Sequence, residues 1–278
     1  MPYTLAHPAF ALPLRRLRLP ASALAIGAMT PDTPLWMWFI GLGEPFERHV
    51  VSYDETHSLV GILTWCLVFG LFGWVTWTSL LRGALHDALP AGLRSRVPSP
   101  PGFTDEPSAG DSRGRLLVLA ATGVVVGATT HVLLDEFTHT GRWGTTNLPW
   151  LAESYGGRSG ADWLQLVLTG AGLIALAAVI AWWLAHAIRR DPHRHSDGAP
   201  LPRIVMRAGL GVSAVAACAV VFALWGGGSL FRLAYLFATT GVFVFLIGVV
   251  ILAVGHRAIT MILIAGEPDR RVPHLPRA

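Results

Sequence analysis

The groups in this chain able to do chemistry are histidines and carboxylates, and several fall at ordered intervals. His131-x3-Asp135-x3-His139 runs along one apolar stretch, with Glu136 beside it. Steps of four residues advance an α-helix by about 40° and 6 Å, so His131 and Asp135 share a face and can hold one ion together. On a continuous helix His139 would stand about 12 Å from His131. It joins the pair only if the helix ends first, and Thr140-Gly141 supplies a stop signal there. A lone buried histidine is ordinarily explained by one hydrogen bond. Four ionisable groups so close together on an apolar helix are harder to dismiss, because each is costly in lipid and functional by default. Upstream, Asp54-Glu55-Thr56-His57-Ser58 leads directly into another apolar stretch, preceded by His7 and Asp32. Capping by Thr56 and Ser58, and a Pro31-Asp32-Thr33-Pro34 turn, are the purely structural explanations of His57 and Asp32. Imidazole and carboxylate together suit Zn2+, with Mn2+ or Fe2+ as competitors.

The elements that must position these groups are membrane helices. Of the 278 residues, 53% are hydrophobic and only 14% are charged, against about 25% charged in soluble domains. That excludes a soluble globular protein, a disordered chain and a nucleic-acid-binding domain. The 21 basic residues are all Arg, and the net charge of +4 reads as orientation information. Both cysteines, Cys66 and Cys218, fall inside apolar stretches, so there is no disulfide framework. A bilayer core of about 30 Å needs about 20 apolar residues. Ser58–Leu81, Leu116–Leu134, Trp163–Ile188, Ala208–Phe231 and Leu233–Gly255 all meet that length, the last two joined at Gly226-Gly227-Gly228.

The predicted fold is an all-α, polytopic bundle of about five transmembrane helices with N-terminal interfacial or re-entrant helices. Residues 1–190 would form a metal-site domain, and residues 191–278 would add two further spans. Ala21–Gly43 is apolar enough to tempt a sixth span, but Pro31, Asp32 and Pro34 at mid-depth are expensive in lipid. Short helices that lie at the interface, or dip in and return, are the better reading.

Arginine placement orients the chain. Arg82 to Arg115, Pro/Gly/Ser-rich between Pro98 and Gly114, Arg189 to Arg207, and the tail from Arg257 to Arg277 fall on one side, which should be the cytoplasm. His57, Asp135 and His139 then lie at the extracytoplasmic ends of the first two spans, joined by His7 and Asp32 if the N-terminal segment does not cross. Arg15, Arg16, Arg18 and Arg48 stand against this assignment. His86, His186 and the Pro192-His193-Arg194-His195 run fall towards the cytoplasmic side and are set aside as solvated or interfacial, as is His49.

The order His7, Pro31-Asp32, Thr56-His57-Ser58, His131-x3-Asp135 and a closing His-Thr-Gly resembles bacterial membrane-bound metal-dependent hydrolases over about residues 1–190. Met1-Pro2-Tyr3-Thr4-Leu5-Ala6-His7-Pro8 and Gly27-Ala28-Met29-Thr30-Pro31-Asp32 look closer still to a bacterial branch known only as a domain of unknown function. The order is also similar to that of zinc-dependent phospholipase C and P1-type nucleases. That resemblance implies His7, Asp32, His57, His131 and Asp135 as ligands, with Asp135 able to bridge two ions. The downstream His-x3-Glu pair of those enzymes is missing; His139 or Glu136 could substitute, which implies two ions rather than three.

The expected activity is hydrolysis of a phosphoester or lipid-linked substrate. Asp32 would hold or deprotonate the attacking water, with Glu136 as a second catalytic carboxylate. Arg142 could pair a phosphate oxygen through its planar fork, or be an interfacial Arg beside Trp143. Trp36, Trp38, Trp143 and Trp150 suit headgroup depth. The alternatives are a structural metal site, a hydrogen-bonded scaffold, and an isoprenoid-diphosphate enzyme.

Overall fold

The computed structural model describes residues 4–94, 96–97, 112–186 and 200–265. Most of the Pro/Gly/Ser-rich linker, the Pro192–His195 run and the tail arginines Arg270, Arg271 and Arg277 lie outside the described residues, as does the expected end of the third span at Ile188. Among the described residues five helices are long and apolar enough to cross a membrane: Leu59–Ala88, Arg113–Asn147, Gly160–His186, Leu201–Trp225 and Arg232–Leu263. They are called the first to fifth spans. The chain is an all-α membrane-type bundle, as its composition requires.

Short helices fill the N-terminal segment: Pro8–Ala11, Ala21–Gly27, Thr33–Trp38, Gly43–His49 and Tyr53–Thr56, with 3-10 turns at Thr4–Ala6, Leu12–Leu17 and Thr30–Asp32. Prolines stand at the first turns of several of them. Proline is pre-organised for a helix start and cannot continue a helix from within, so the segment breaks repeatedly and forms no sixth span.

Ala21–Gly27 instead lies against the second span and runs in the same direction. Ala23 meets Gly123, and Leu24 and Ala28 meet Gly127. A Cβ at Gly127 would come within 2.3 Å of the Leu24 carbonyl oxygen, and one at Gly27 within 2.3 Å of that of Val124. Only small residues allow such backbone approach. Leu19 belongs to the core cluster of Ala11, Leu24 and Ala28 that Leu14, Leu119 and Val126 flank. Exposed Arg15, Arg16 and Arg18 therefore sit beside Leu19, at the height of Leu119 and about three helical turns before His131 on the second span. Before them, Ala6 and Phe10 pack against Gly172 of the third span.

After the long helix of the second span ends at Thr138, the helices Trp143–Asn147 and Pro149–Ala152 lead to a small hairpin, Ser154–Tyr155 with Arg158–Ser159. Its turn is Gly156-Gly157, with φ of +62° and +85°. A two-residue hairpin turn with both central residues in the left-handed region suits glycine. Gly157→Ala is expected to cost about 1 kcal/mol, read as a lower Tm with metal content unchanged. The fourth and fifth spans turn at Gly226 and Gly227, also at positive φ. They pack on the far end of the first span through Ala84, Met206, Val249 and Ala253.

Candidate metal centre

Short local devices aim the site. Ser52 and Glu55 form a reciprocal capping box at the start of Tyr53–Thr56, which satisfies two end donors at once. Ser58 caps the first span by accepting from the Gly61 amide at 2.9 Å. Thr56 donates its hydroxyl to the Pro31 carbonyl at 2.7 Å and so ties this turn to the Asp32 turn. Capping therefore does operate around His57, yet His57 itself is left facing inward, 5% exposed. On the second span, Gly123, Gly127, His131, Asp135 and Thr138 recur every three or four residues on its buried face. The face that admits Ala21–Gly27 thus also presents His131 and Asp135.

Asp32, His57, His131 and Asp135 converge: each offers one ligand atom, all within 4.8 Å of one another. His131 Nε2 lies 3.6 Å from Asp32 Oδ1 and 3.3 Å from Asp135 Oδ2. His57 Nε2 lies 3.8 Å and 3.4 Å from the same two oxygens. The opposite ring nitrogens are anchored, His131 Nδ1 donating to the Ala28 carbonyl and His57 Nδ1 to the Tyr53 carbonyl, each at 2.8 Å. A carbonyl only accepts, so Nδ1 carries the proton and the Nε2 lone pair of a neutral ring points at the carboxylates. His57 Nε2, His131 Nε2, Asp32 Oδ1 and Asp135 Oδ1 are buried with no hydrogen-bond partner. Buried polar atoms are nearly always satisfied. Lone pairs facing carboxylates could hold a cation between them, and the donor set fits a transition metal.

The remaining predicted ligands border Asp135 Oδ1. His7 Nε2 is 3.8 Å away and His139 Nδ1 is 3.5 Å away. His7 stacks on His131 with ring centroids 3.7 Å apart, and both its nitrogens lack partners. Burial above all pushes the His7 pKa down to about 3, so its ring stays neutral. His139 reaches Asp135 because the helix ends at Thr138 and His139 turns to extended backbone, φ −122° and ψ 137°. The hydroxyl of Thr4 donates to Asp32 Oδ2 at 2.5 Å and holds that carboxylate in place.

Glu136 and Arg142 stand apart from this group. Glu136 accepts from the Trp143 amide at 3.0 Å and lies 4.0 Å from the Arg142 guanidinium, which also pairs with Asp54 at 3.2 Å. Arg142 sits 6.0 Å over the Tyr53 ring. Sequence reasoning missed Thr4, Tyr53, Gln165 and the Ala28 carbonyl. Tyr53 stacks on His57, donates to Asp135 Oδ2 at 3.4 Å, and has its hydroxyl pKa pushed up, first by burial and then by Asp32 and Asp135. Gln165 contacts His139 at 3.4 Å. Thr4 and Ala28 lie in the two N-terminal stretches Met1–Pro8 and Gly27–Asp32, but no spacing marks any of the four as a ligand's partner, since a hydroxyl, amide or carbonyl supporting a ligand needs proximity alone. Because outer partners orient ligands, Tyr53→Phe is expected to weaken metal binding about tenfold, measured by competition with a chelating indicator.

The chain belongs to the DUF4184 family, a domain of unknown function, whose family model matches residues 1–265. No curated protein and no solved structure matches it.

Proposed function

We propose that this DUF4184 protein is a metal-dependent hydrolase of the bacterial inner membrane, acting on a phosphoester or lipid-linked substrate at the extracytoplasmic face. The observation that carries this reading is the set of buried ligand atoms, aimed at one point and lacking hydrogen-bond partners. Asp135 divides its oxygens, Oδ2 towards His57 and His131, and Oδ1 towards His7 and His139. That division supports two ions bridged by Asp135, with Zn2+ preferred and Mn2+ or Fe2+ next. Bound metal would supply Lewis acidity, lowering the pKa of a water from 15.7 towards about 7.

The chain's own groups then have these roles. Asp32, whose Oδ1 lacks a partner, holds the attacking water or takes its proton. His7, kept neutral by burial, offers a lone pair without first losing a proton. Glu136 positions Arg142 at the rim, where its fork can meet a phosphate oxygen. Trp143 and Trp150, about half exposed, suit the headgroup layer. The placement of Arg15, Arg16 and Arg18 away from His131 fits the inferred orientation, leaving Arg48 as its exception.

A structural ion is the second reading, favoured by the closure of the site. His7, Asp32, His57, His131 and Asp135 are all 5% exposed or less. One experiment separates the two: purified protein is assayed on phosphodiester and lipid-phosphate substrates with and without chelator. Chelator-sensitive release of product supports the hydrolase. Metal whose removal lowers Tm, with no turnover on any substrate, supports the structural ion.

A further inference from the structure

Opposite the metal centre, the far ends of the first and fifth spans border an open cavity of about 420 Å³. Ser79, His86, Asp87, His256, Arg257 and Thr260 give it a polar lining. Sequence spacing sets His86 aside as an interfacial residue, but the structure buries it, 7% exposed, with Nε2 donating to the Val97 carbonyl at 3.2 Å. Asp87 lies between two histidines, 3.8 Å from His86 Nδ1 and 3.2 Å from His256 Nε2. His256 is 8% exposed, and its Nε2 is buried without a hydrogen-bond partner.

The lining residues fall in the last third of both spans, Leu59–Ala88 and Arg232–Leu263. Because a bilayer core takes up about 20 residues, the part of each span beyond that length is where headgroups would lie. Arginines gather around it. Arg257 reaches the Ser79 carbonyl at 3.1 Å, Arg207 grips the Ala88 and Leu89 carbonyls at 3.0 and 2.7 Å, and Arg203 exerts an attractive field on Asp87. Asp87 is the one acidic residue among those lining the cavity.

A metal fits this cavity poorly. Its histidines and Asp87 do not converge within 4.8 Å as the outer four residues do, and arginines surround them. Leu80 and Met261 give the cavity an apolar wall, which a free inorganic ion does not need and a lipid uses.

We propose that this cavity binds the phosphate headgroup of an anionic phospholipid, held by Arg257 and His256 at the membrane face opposite the metal centre. Basic pockets between membrane helices recognise headgroups by this combination of charge and depth. Asp87 orients His256.

The test uses the full chain in mild detergent, titrated with phosphatidylglycerol, phosphatidylcholine or inorganic phosphate. Thermal unfolding and native mass spectrometry are the readouts. Phosphatidylglycerol should raise Tm by about 3 °C or more and remain bound at one lipid per chain, whereas the other two should not. His256→Gln and Arg257→Gln should each weaken the lipid at least about tenfold, with Arg16→Gln as the control that keeps it. Bound metal at the outer centre should be the same in all. Two variants guard against one failing to fold. The proposal is overturned if both variants keep the full lipid effect, if phosphatidylcholine or inorganic phosphate matches it, or if Zn2+ alone stabilises this end of the protein.

Discussion

Wild-type protein purified without chelator is expected to carry a stoichiometric transition metal, which His131→Ala and Asp135→Ala lose. The loss should exceed about 100-fold in affinity, the upper range seen when only supporting residues are changed. Asp135 has the greater effect because both its oxygens face ligand nitrogens, with His7 and His139 on one side and His57 and His131 on the other. Removing it withdraws a charge from both groups at once. His186→Ala is the control: His186 is exposed and bonds the Trp182 carbonyl on its own helix. Elemental analysis of the three variants beside wild type is the measurement. Wild-type protein free of stoichiometric metal would remove the ground for the proposed activity.

Gly127→Val is expected to destabilise the protein by about 3 kcal/mol and to empty the metal centre in the same step. A Cβ there would meet the Leu24 carbonyl oxygen at 2.3 Å and the Ala28 amide nitrogen at 2.7 Å. Both contacts are backbone, so no side chain can swing aside, and Ala21–Gly27 must move as a unit. That helix carries the chain into Ala28, whose carbonyl orients His131, and on to Asp32. Packing and coordination therefore fail together. Gly170→Ala, with nothing within 4 Å of the added carbon, should stay within about 0.5 kcal/mol of wild type. Tm and bound metal are measured on the same samples. Loss of stability with metal binding intact would show that the helix and the site are independent.

Much of this was legible from residue order. Low charge content predicts membrane helices, and long apolar runs predict five of them, because lipid leaves few other ways to satisfy a backbone. The His131–Asp135 pair needed only helical periodicity. The breaking of the N-terminal segment followed from Pro31 and Pro34, since proline cannot donate or continue a helix. His139 depended on where one helix stops, and Thr140-Gly141 hinted at that without deciding it.

Other features had no sequence signal. Nothing in the order of residues says that the Ala28 carbonyl, over a hundred positions before His131, fixes its tautomer. Nor does it bring His256 to Asp87 across the first and fifth spans. The opening of the chain shows the division most clearly. Its prolines and apolar runs determine short helices in place of a span, as local sterics require. That Ala21–Gly27 slides along Gly123 and Gly127, carrying arginines to one end and Asp32 to the other, was decided by tertiary packing. Close backbone approach depends on both surfaces being small at the same height, and one sequence stretch cannot specify its partner's height.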